Sequence, residues 1–311
     1  MRKQRASLPA GTAAYVFAEA TRRREAEERI AAGLKEAGYL EAMVPSADYL
    51  SPYLAHISAS EERELYRFVD RHGDTLALRA DFTIALARHL SPRLPPNAGS
   101  TRMFYRGEVL RGGTRDGVNA EFYQIGAELL GDSSSAADLE IVERCLSALQ
   151  AGRAGPLFTI LSCVGALEVL VAPEAEGEEA RRLARAIRER RLADTARMAR
   201  AASPDFERRV RRLLEGELPP DDALIRRLAP GGETLSRIAD SLSGRKDCRV
   251  AIDLAEPAPR SYYTGFFFSV YGASGGEPIA GGGRYDDLYG AFGTPRPAVG
   301  FSLGLEGIVG S

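Results

Sequence analysis

The stretch GEVLRGGTRDGVNAEFYQIGAELLG, from Gly107 to Gly131, decides the fold that we predict for this chain. Apolar and aromatic residues at 103–110 and 121–130 predict two strands, and the polar GGTRDGVN between them predicts an open hairpin loop. Because strand side chains alternate between two faces, Gln124, Gly126 and Glu128 share one face of the second strand. The opposite, apolar face comprises Tyr123, Ile125, Ala127 and Leu129.

The polar face of this hairpin has two interpretations. If the strands pair, Arg111, Gln124 and Glu128 border one cleft that suits a small zwitterion. The guanidinium would bind a carboxylate, the carboxylate an ammonium, and the amide a polar side chain. Alternatively, the hairpin is antiparallel with a polar face turned to solvent, and the residues alone favour this second interpretation.

Length and composition limit the classes of protein to consider. The chain has 311 residues, enough for one or two domains. A net charge of −2 gives no reason to expect nucleic acid. No apolar run reaches the length of a membrane span, and MRKQRASLPAG lacks the apolar core of a signal peptide. We therefore expect a cytoplasmic protein that binds neither nucleic acid nor membrane.

Motifs for metals and cofactors are missing. The three cysteines are isolated from one another, and the three histidines lie outside ligand motifs. The sequence has no phosphate-binding GxxxxGK[ST], no GxGxxG at a strand-to-helix turn, and no local signature of a nucleophilic triad. We predict no metal site, no cofactor and no catalytic residue.

The order of predicted elements indicates an α+β fold, a mainly antiparallel sheet flanked by helices. The core comprises residues 1–165 and 245–311, and residues 166–244 form a helical insertion subdomain. Arginines and glutamates alternate in the insertion, which is typical of a solvated helix surface. In the core, Asp81 and Thr83 begin a helix, where such side chains commonly act as caps.

Six motifs in order carry a resemblance over nearly the whole chain. They are GYLEAMVP (38–45), LALRADFT (76–83), the hairpin, YYTG (262–265), AGGGRYDDL (280–288) and PAVGFSLGLE (297–306). Together they resemble class II aminoacyl-tRNA synthetases of the histidyl type. The first resembles the dimer-forming motif 1 with its proline, Pro45. The resemblance implies a class II synthetase-like core and a histidine-binding pocket formed by Asp81, Thr83, Arg111, Gln124, Glu128, Tyr262, Tyr263 and Tyr285.

The sequence departs from this family at its nucleotide-binding positions. Motif 3 of a working synthetase ends in an arginine that holds ATP, where this chain has Gly307. Gly112 and Gly113 follow Arg111, and GVNA (117–120) replaces a Gly-Arg-x-Arg pattern. Ala258 replaces an arginine that assists activation, although Arg260 lies two residues away. Since phosphate chemistry depends on positioned cations, we expect adenylate formation to be lost.

A synthetase core that lacks activation and a following anticodon-binding domain resembles the regulatory subunits of ATP phosphoribosyltransferase. The resemblance implies a non-catalytic homodimer within a larger hetero-oligomer. Its partner would be the short-form catalytic subunit, which needs it for activity in the first step of histidine biosynthesis. Its effector would be L-histidine, acting as feedback inhibitor because it binds the inhibited assembly better.

Three other interpretations remain open from the sequence. The chain could be a truncated or divergent histidyl-tRNA synthetase, which Gly307 and Ala258 argue against. It could be a free-standing synthetase-like protein that binds an amino acid or modifies another protein. It could also be a dimerisation scaffold with a relic pocket, which would bind no histidine.

Overall fold

The fold is built on two β-sheets. The computed structural model describes residues 8–95, 99–112, 120–172, 177–215, 218–228, 231–273 and 275–309. The strands in chain order are β1 (Leu40–Glu41), β2 (Ala47–Tyr49), β3 (Arg67–Val69), β4 (Thr75–Leu78), β5 (Thr101–Leu110), β6 (Glu121–Leu130), β7 (Leu157–Cys163), β8 (Cys248–Ile252), β9 (Phe266–Tyr271), β10 (Ala280–Arg284) and β11 (Ala298–Gly304).

The large sheet has eight strands in the order β1-β5-β6-β11-β10-β9-β7-β8. Only the outermost pairs, β1 with β5 and β7 with β8, are parallel. The small sheet has three antiparallel strands in the order β2-β4-β3. The predicted α+β fold with a mainly antiparallel sheet is therefore confirmed.

Helices surround both sheets. They are α1 (Phe17–Glu36), α2 (Ser51–Leu54), α3 (Ala59–Arg63), α4 (Phe82–Leu90), α5 (Ser135–Ala151), α6 (Ala166–Val171), α7 (Gly177–Arg188), α8 (Leu192–Ala202), α9 (Pro204–Glu215), α10 (Ala223–Arg226), α11 (Gly231–Leu242) and α12 (Glu306–Val309). Within the described part of the chain, every helix is too short or too polar to cross a membrane.

Helix α1 shows how the sequence produces these elements. Its buried side chains Ala26, Ile30 and Leu34 recur every four residues and so face the sheet together. The helix ends before Gly38, whose φ of +86° suits glycine, and the N–H of Tyr39 returns to the carbonyl of Leu34. The chain thereby turns directly into β1, which forms one edge of the large sheet.

Two hydrophobic clusters lie on opposite faces of the central hairpin. The larger cluster packs α1 and α5 against side chains such as Phe104 and Leu129. The smaller packs α4 against Tyr105, Tyr285 and Tyr289. The hairpin alternation predicted from sequence is therefore present, with each face covered by different helices.

The insertion connects β7 to β8, which are adjacent and parallel, so it acts as a long crossover. Helix α11 packs against α5, β7 and β8, and its side chains belong to the same hydrophobic cluster as the sheet. Leu218 also forms an isolated β-bridge with Ile252 of β8. Apolar packing is therefore continuous between the insertion and the core.

The central hairpin corrects one prediction. Strand β6 has the predicted bounds, and it pairs with β5 from Thr101↔Leu130 to Leu110↔Glu121. Its polar face, however, is not turned to solvent, because Glu128 is fully buried and Gln124 is only 7% exposed. The smaller hydrophobic cluster covers this face. The predicted connecting loop lies largely outside the described residues, which exclude 113–119.

The sequence also predicts strands at 39–44 and at 262–272, and both are shorter in the structure. The first is reduced to β1, Leu40–Glu41, before the chain reaches Pro45. The second begins only at Phe266, so that residues 262–265 precede β9.

Close strand packing requires glycine at two positions. A Cβ atom at Gly300 would lie 1.6 Å from Oε2 of Glu128. A Cβ atom at Gly282 would lie 2.2 Å from the carbonyl oxygen of Gly300. These glycines on β11 and β10 leave the space into which the Glu128 carboxylate and the neighbouring backbone fit.

We expect Gly282→Ala to destabilise the protein by more than about 2 kcal/mol, because the new methyl group would overlap backbone that cannot move freely. The measurement is the free energy of unfolding from denaturant titration. Gly155→Ala is the matched control, since nothing lies within 4 Å of a Cβ there. Equal stability of the two variants would contradict this packing argument.

Candidate functional site

The candidate site begins at the N-terminus of α4. Asp81 is the N-cap residue, and its Oδ1 accepts a hydrogen bond from the backbone N–H of Ile84 at 3.1 Å. Its other oxygen, Oδ2, accepts one from the hydroxyl of Tyr262 at 3.1 Å. The predicted capping role of Asp81 is confirmed. Thr83 instead donates to Oε1 of Glu128 at 3.0 Å.

Glu128 is a fully buried carboxylate held by neutral hydroxyl groups. Thr83 donates to one of its oxygens, and the hydroxyl of Tyr285 contacts the other. Burial raises the pKa of Glu128 to about 8, although the hydrogen bonds from Tyr285 and Thr83 act in the opposite direction. The folded protein therefore keeps the Glu128 proton to a higher pH than the unfolded chain does.

Three tyrosines surround this carboxylate. The Tyr262 ring packs edge-on against Tyr263 at 5.3 Å and against Tyr285 at 5.6 Å. The tyrosines connect Asp81 to Glu128, since Tyr262 bonds to the first and Tyr285 contacts the second. The structure thus brings Asp81, Thr83, Glu128, Tyr262, Tyr263 and Tyr285 into one cluster, as the resemblance implied.

A small cleft lies beside this cluster, between the small sheet, α3 and the start of α4. Its charged lining comprises four carboxylates (Asp48, Glu61, Glu64 and Asp81) and three guanidiniums (Arg79, Arg111 and Arg260). Ala77, Leu78 and Ile84 add apolar wall. A lining with both signs of charge suits a small zwitterion better than a polyanion.

Of the three residues predicted to border one cleft, Arg111 lines this cleft, whereas Gln124 and Glu128 are buried behind it. Of the predicted binding residues, Asp81 and Arg111 line the cleft, while the others lie outside its lining. Two sets of contacts connect the cleft to Glu128. One runs from Asp81 through Tyr262 and Tyr285, and the other runs along the first turn of α4 to Thr83, which donates to Glu128. Gln124 is buried in the ladder between Gly107 and Gly304, and its Oε1 has no partner among the described residues.

Arg111 follows the last residue of β5. Its Nε donates to the carbonyl of Ala80 at 2.9 Å, and its guanidinium lies 5.0 Å from the centre of the Phe122 ring. Its Nη2 is buried, with no hydrogen-bond partner in the described part of the chain. Burial lowers the pKa of Arg111 to about 10, and the positive charge of Arg260 adds to this effect.

Arg260 was not among the predicted site residues, but it lines the cleft. It lies 3.7 Å from Oδ2 of Asp81 and 3.5 Å from Oε1 of Glu61. Ala258, which replaces the family arginine, lines a different cleft beside Cys163 and Phe267. The only sequence signal for Arg260 was its position two residues after Ala258.

Glu61 and Glu64 were also missed by the sequence analysis. Ser58 and Glu61 form a capping box at the start of α3, and Glu61 accepts a hydrogen bond from Ser261 at 2.9 Å. The pattern Ser-x-x-Glu is readable from sequence as a helix start. It gives no indication that this helix lines a cleft with residues two hundred positions later in the chain.

Gly307 lies in α12, just after β11, at the position where the resemblance implies a nucleotide-binding arginine in synthetases. A Cβ atom at Gly307 would lie 2.6 Å from Cγ2 of Ile279, so the neighbouring space is filled. The preceding Glu306 pairs with Arg23 of α1 and accepts the backbone N–H of Tyr123 at 3.1 Å. Glu306, Arg23 and Tyr123 also line a second cleft beside this position.

Comparison with known proteins identifies the family. Residues 11–308 match the model of the histidyl-tRNA synthetase family. The ATP phosphoribosyltransferase regulatory subunit of Moorella thermoacetica is 34% identical over 315 aligned positions, which cover 96% of this chain and 80% of that protein. The chain belongs to the histidyl-tRNA synthetase-like family of ATP phosphoribosyltransferase regulatory subunits.

Solved structures agree with this family fold. A crystal structure described as an ATP phosphoribosyltransferase regulatory subunit/histidyl-tRNA synthetase from Bacillus halodurans superposes with a TM-score of 0.84 at 25% identity, covering 98% of this chain and 82% of that one. A chain of the ATP phosphoribosyl transferase complex from Thermotoga maritima superposes with a TM-score of 0.71 at 21% identity. That match covers 92% of this chain and 98% of the other, and it supports the fold.

We expect Glu128→Gln to gain stability relative to the unmodified protein as pH rises from about 4.5 to about 8. Over this range the unfolded state loses the Glu128 proton while the folded state keeps it, so folding stability falls with pH by up to about 1.4 kcal/mol per pH unit. Glutamine imitates the protonated side chain but cannot ionise, so the variant lacks this pH-dependent loss of folding stability.

Denaturant unfolding at several pH values measures this difference. Glu121→Gln is the control, because Glu121 lies exposed at the start of the same strand. If the stability difference for Glu128→Gln does not change with pH, then the buried carboxylate is not protonated in this range.

Proposed function

We propose that this chain is a non-catalytic regulatory subunit of ATP phosphoribosyltransferase, acting in the cytoplasm in the first step of histidine biosynthesis. It assembles with a short-form catalytic subunit, which depends on it for activity. Binding of L-histidine to the assembly inhibits the reaction. Aminoacylation, the reaction of its synthetase relatives, is lost.

The observation that carries this proposal is the packing at Gly307. An arginine there would need its stem to occupy space that Ile279 already fills, since even a Cβ atom would lie within 2.6 Å of that side chain. The adjacent Glu306 is engaged by Arg23 and by the backbone of Tyr123. Without a cation at this position, the chain lacks one of the groups that would balance the charge of ATP.

The charges of the cleft support an amino-acid effector. Asp81 offers a carboxylate for an ammonium group, and Arg111 offers a guanidinium with an unpartnered Nη2. A free amino acid carries both complementary charges on one carbon atom. Because the chain resembles the histidyl type of synthetase, we propose that this amino acid is histidine.

Exposed apolar side chains near motif 1 support a homodimer. Leu40, on the edge strand β1, is 73% exposed, and Met43 is 90% exposed. Large apolar side chains that are exposed close together commonly mark a surface that another chain covers.

The relatives support a partner of a defined kind. The protein from Moorella thermoacetica is named as a regulatory subunit of ATP phosphoribosyltransferase, and a subunit of that name implies a separate catalytic chain. Since this chain covers 80% of that relative, we propose that the same kind of assembly forms here.

Mixing this chain with the short-form catalytic subunit from the same source tests the proposal. We expect faster turnover than with the catalytic subunit alone, co-elution of the two proteins, and inhibition as L-histidine is added. If turnover is unchanged and the proteins elute separately, the regulatory function is excluded. Histidine-dependent exchange of pyrophosphate into ATP would instead establish a synthetase.

Asp81→Asn locates the effector within this assay. Asparagine can still cap α4, but it removes the negative charge, so we expect about tenfold more histidine to be needed for inhibition. Asp222→Asn is the matched control, because Asp222 caps α10 in the insertion. Equal inhibition of both variants would place the histidine site elsewhere.

A further inference from the structure

We propose that the outer edge of β8 is a docking site, where a partner protein adds an extended acidic segment as a further strand of the large sheet. The residues that line this site are separate from those that line the cleft near α4. The proposal goes beyond the regulatory function, and it rests on neither histidine binding nor the catalytic subunit.

The first observation is the direction of the backbone groups of β8. This strand is the last of the large sheet, and it pairs with β7 on one side. The carbonyl of Asp247 and the N–H of Asp253 both bond to β7, so the odd-numbered residues of this stretch face β7. Because the N–H and C=O groups of successive strand residues point to opposite sides, the outer side presents those of Cys248, Val250 and Ile252.

The second observation is that, within the described residues, the insertion covers this edge at one point. The N–H of Leu218 donates to the carbonyl of Ile252 at 2.9 Å and forms an isolated antiparallel bridge. The next two residues are Pro219 and Pro220, which carry no N–H that could continue a ladder. Among the described residues, the outer backbone groups of Val250 therefore lack a strand partner.

A groove runs along this edge. It is bounded by β8, by the end of α11 and by the turn that precedes β8, and its apolar wall includes Leu218, Ala239 and Ala251. An added strand lies about 4.8 Å from its neighbour and directs alternate side chains to the two faces of the sheet. Main-chain hydrogen bonds to β8 would supply affinity, and apolar side chains of the added strand would contact this wall.

The groove is lined by cations. Arg245, Lys246 and Arg249 line it, and among the described residues its lining contains no carboxylate side chain. Lys246 is exposed and makes no ion pair in the part of the chain that the structure describes, while Arg245 pairs with Asp247 at 2.9 Å. The positive charge of the groove therefore favours an added strand that carries acidic side chains.

The same charges argue against a second copy of this chain as the occupant. Pairing of two β8 edges would bring both sets of cations into one groove, and like charges on adjacent strands destabilise their pairing. Charged side chains on an edge strand commonly prevent such association between copies. An acidic segment meets opposite charges instead, so the groove distinguishes an acidic partner from another copy of this chain.

Fluorescence anisotropy with a synthetic peptide tests the proposal. The ligand is a labelled peptide of about ten residues in which valine and aspartate alternate, and a valine–lysine peptide of the same length is its control. We expect the acidic peptide to bind with a Kd below about 100 µM, and the basic peptide to bind at least about tenfold more weakly. Bound acidic peptide should also slow amide hydrogen exchange at Val250, but not in β3, an edge strand of the small sheet.

Variants separate backbone pairing from attraction by charge. Val250→Pro removes an outward N–H but no bond to β7, so we expect it to weaken binding of the acidic peptide by about tenfold. Val250→Thr keeps the N–H and a β-branched side chain, and as the matched control it should bind like the unmodified protein. Lys246→Glu should also weaken binding by about tenfold, whereas Arg22→Glu on the exposed side of α1 should not.

The outcomes decide the proposal in either direction. Equal binding of the two peptides, no binding up to about 1 mM, or unchanged exchange at Val250 would overturn it. A dimer of the free protein that Val250→Pro dissociates would make this edge an interface between copies and would overturn it as well. Thermal unfolding shows whether Val250→Pro folds, and if it does not, Lys246→Glu and hydrogen exchange decide. These measurements use neither histidine nor the catalytic subunit, so a failure here does not bear on the regulatory function.

Discussion

The burial of the Glu128 carboxylate constrains the strands and helix around it. A fully buried carboxylate is tolerated only where hydrogen-bond donors surround it or where it takes up a proton. Here Thr83 and Tyr285 supply hydroxyl groups, and Gly300 supplies the space, because any larger residue would overlap Oε2. The start of α4, the end of β10 and the middle of β11 must therefore keep fixed positions relative to β6.

Direct contacts connect the buried Glu128 side chain to the residues that line the cleft. Tyr285 packs against Tyr262, Tyr262 donates to Asp81, and Asp81 lies at the cleft with Arg260. Arg260 in turn lies near Glu61 of α3, which also accepts from Ser261. The core of the large sheet is thus joined to the small sheet and its helices by one connected set of polar and aromatic contacts, with the cleft at their junction.

The sequence predicted this arrangement where local rules are sufficient. The alternation of side chains predicted both faces of β6, and the preference of aspartate for helix starts predicted that Asp81 caps α4. Prediction from the sequence failed where the outcome depends on residues that are distant along the chain. Whether Glu128 faces water depends on Thr83 and Tyr285, which lie 45 and 157 positions away along the chain. For the same reason Glu61 and Arg260 could not be assigned, since only the folded chain brings α3 beside residues 258–262.

The departures from a synthetase have a common physical consequence. At Gly307 a cation is missing and Ile279 fills the space, while at the cleft Arg111 and Arg260 remain opposite several carboxylates. The positive charge that would bind a polyphosphate is therefore reduced at Gly307. The cleft keeps both guanidiniums and carboxylates, which suit a single zwitterion. Under the function that we propose, an amino acid binds here without being activated, and it acts only by favouring one conformation or assembly over another. The contacts from Asp81 through Tyr262 and Tyr285 to Glu128 connect a ligand in the cleft to the buried core of the large sheet.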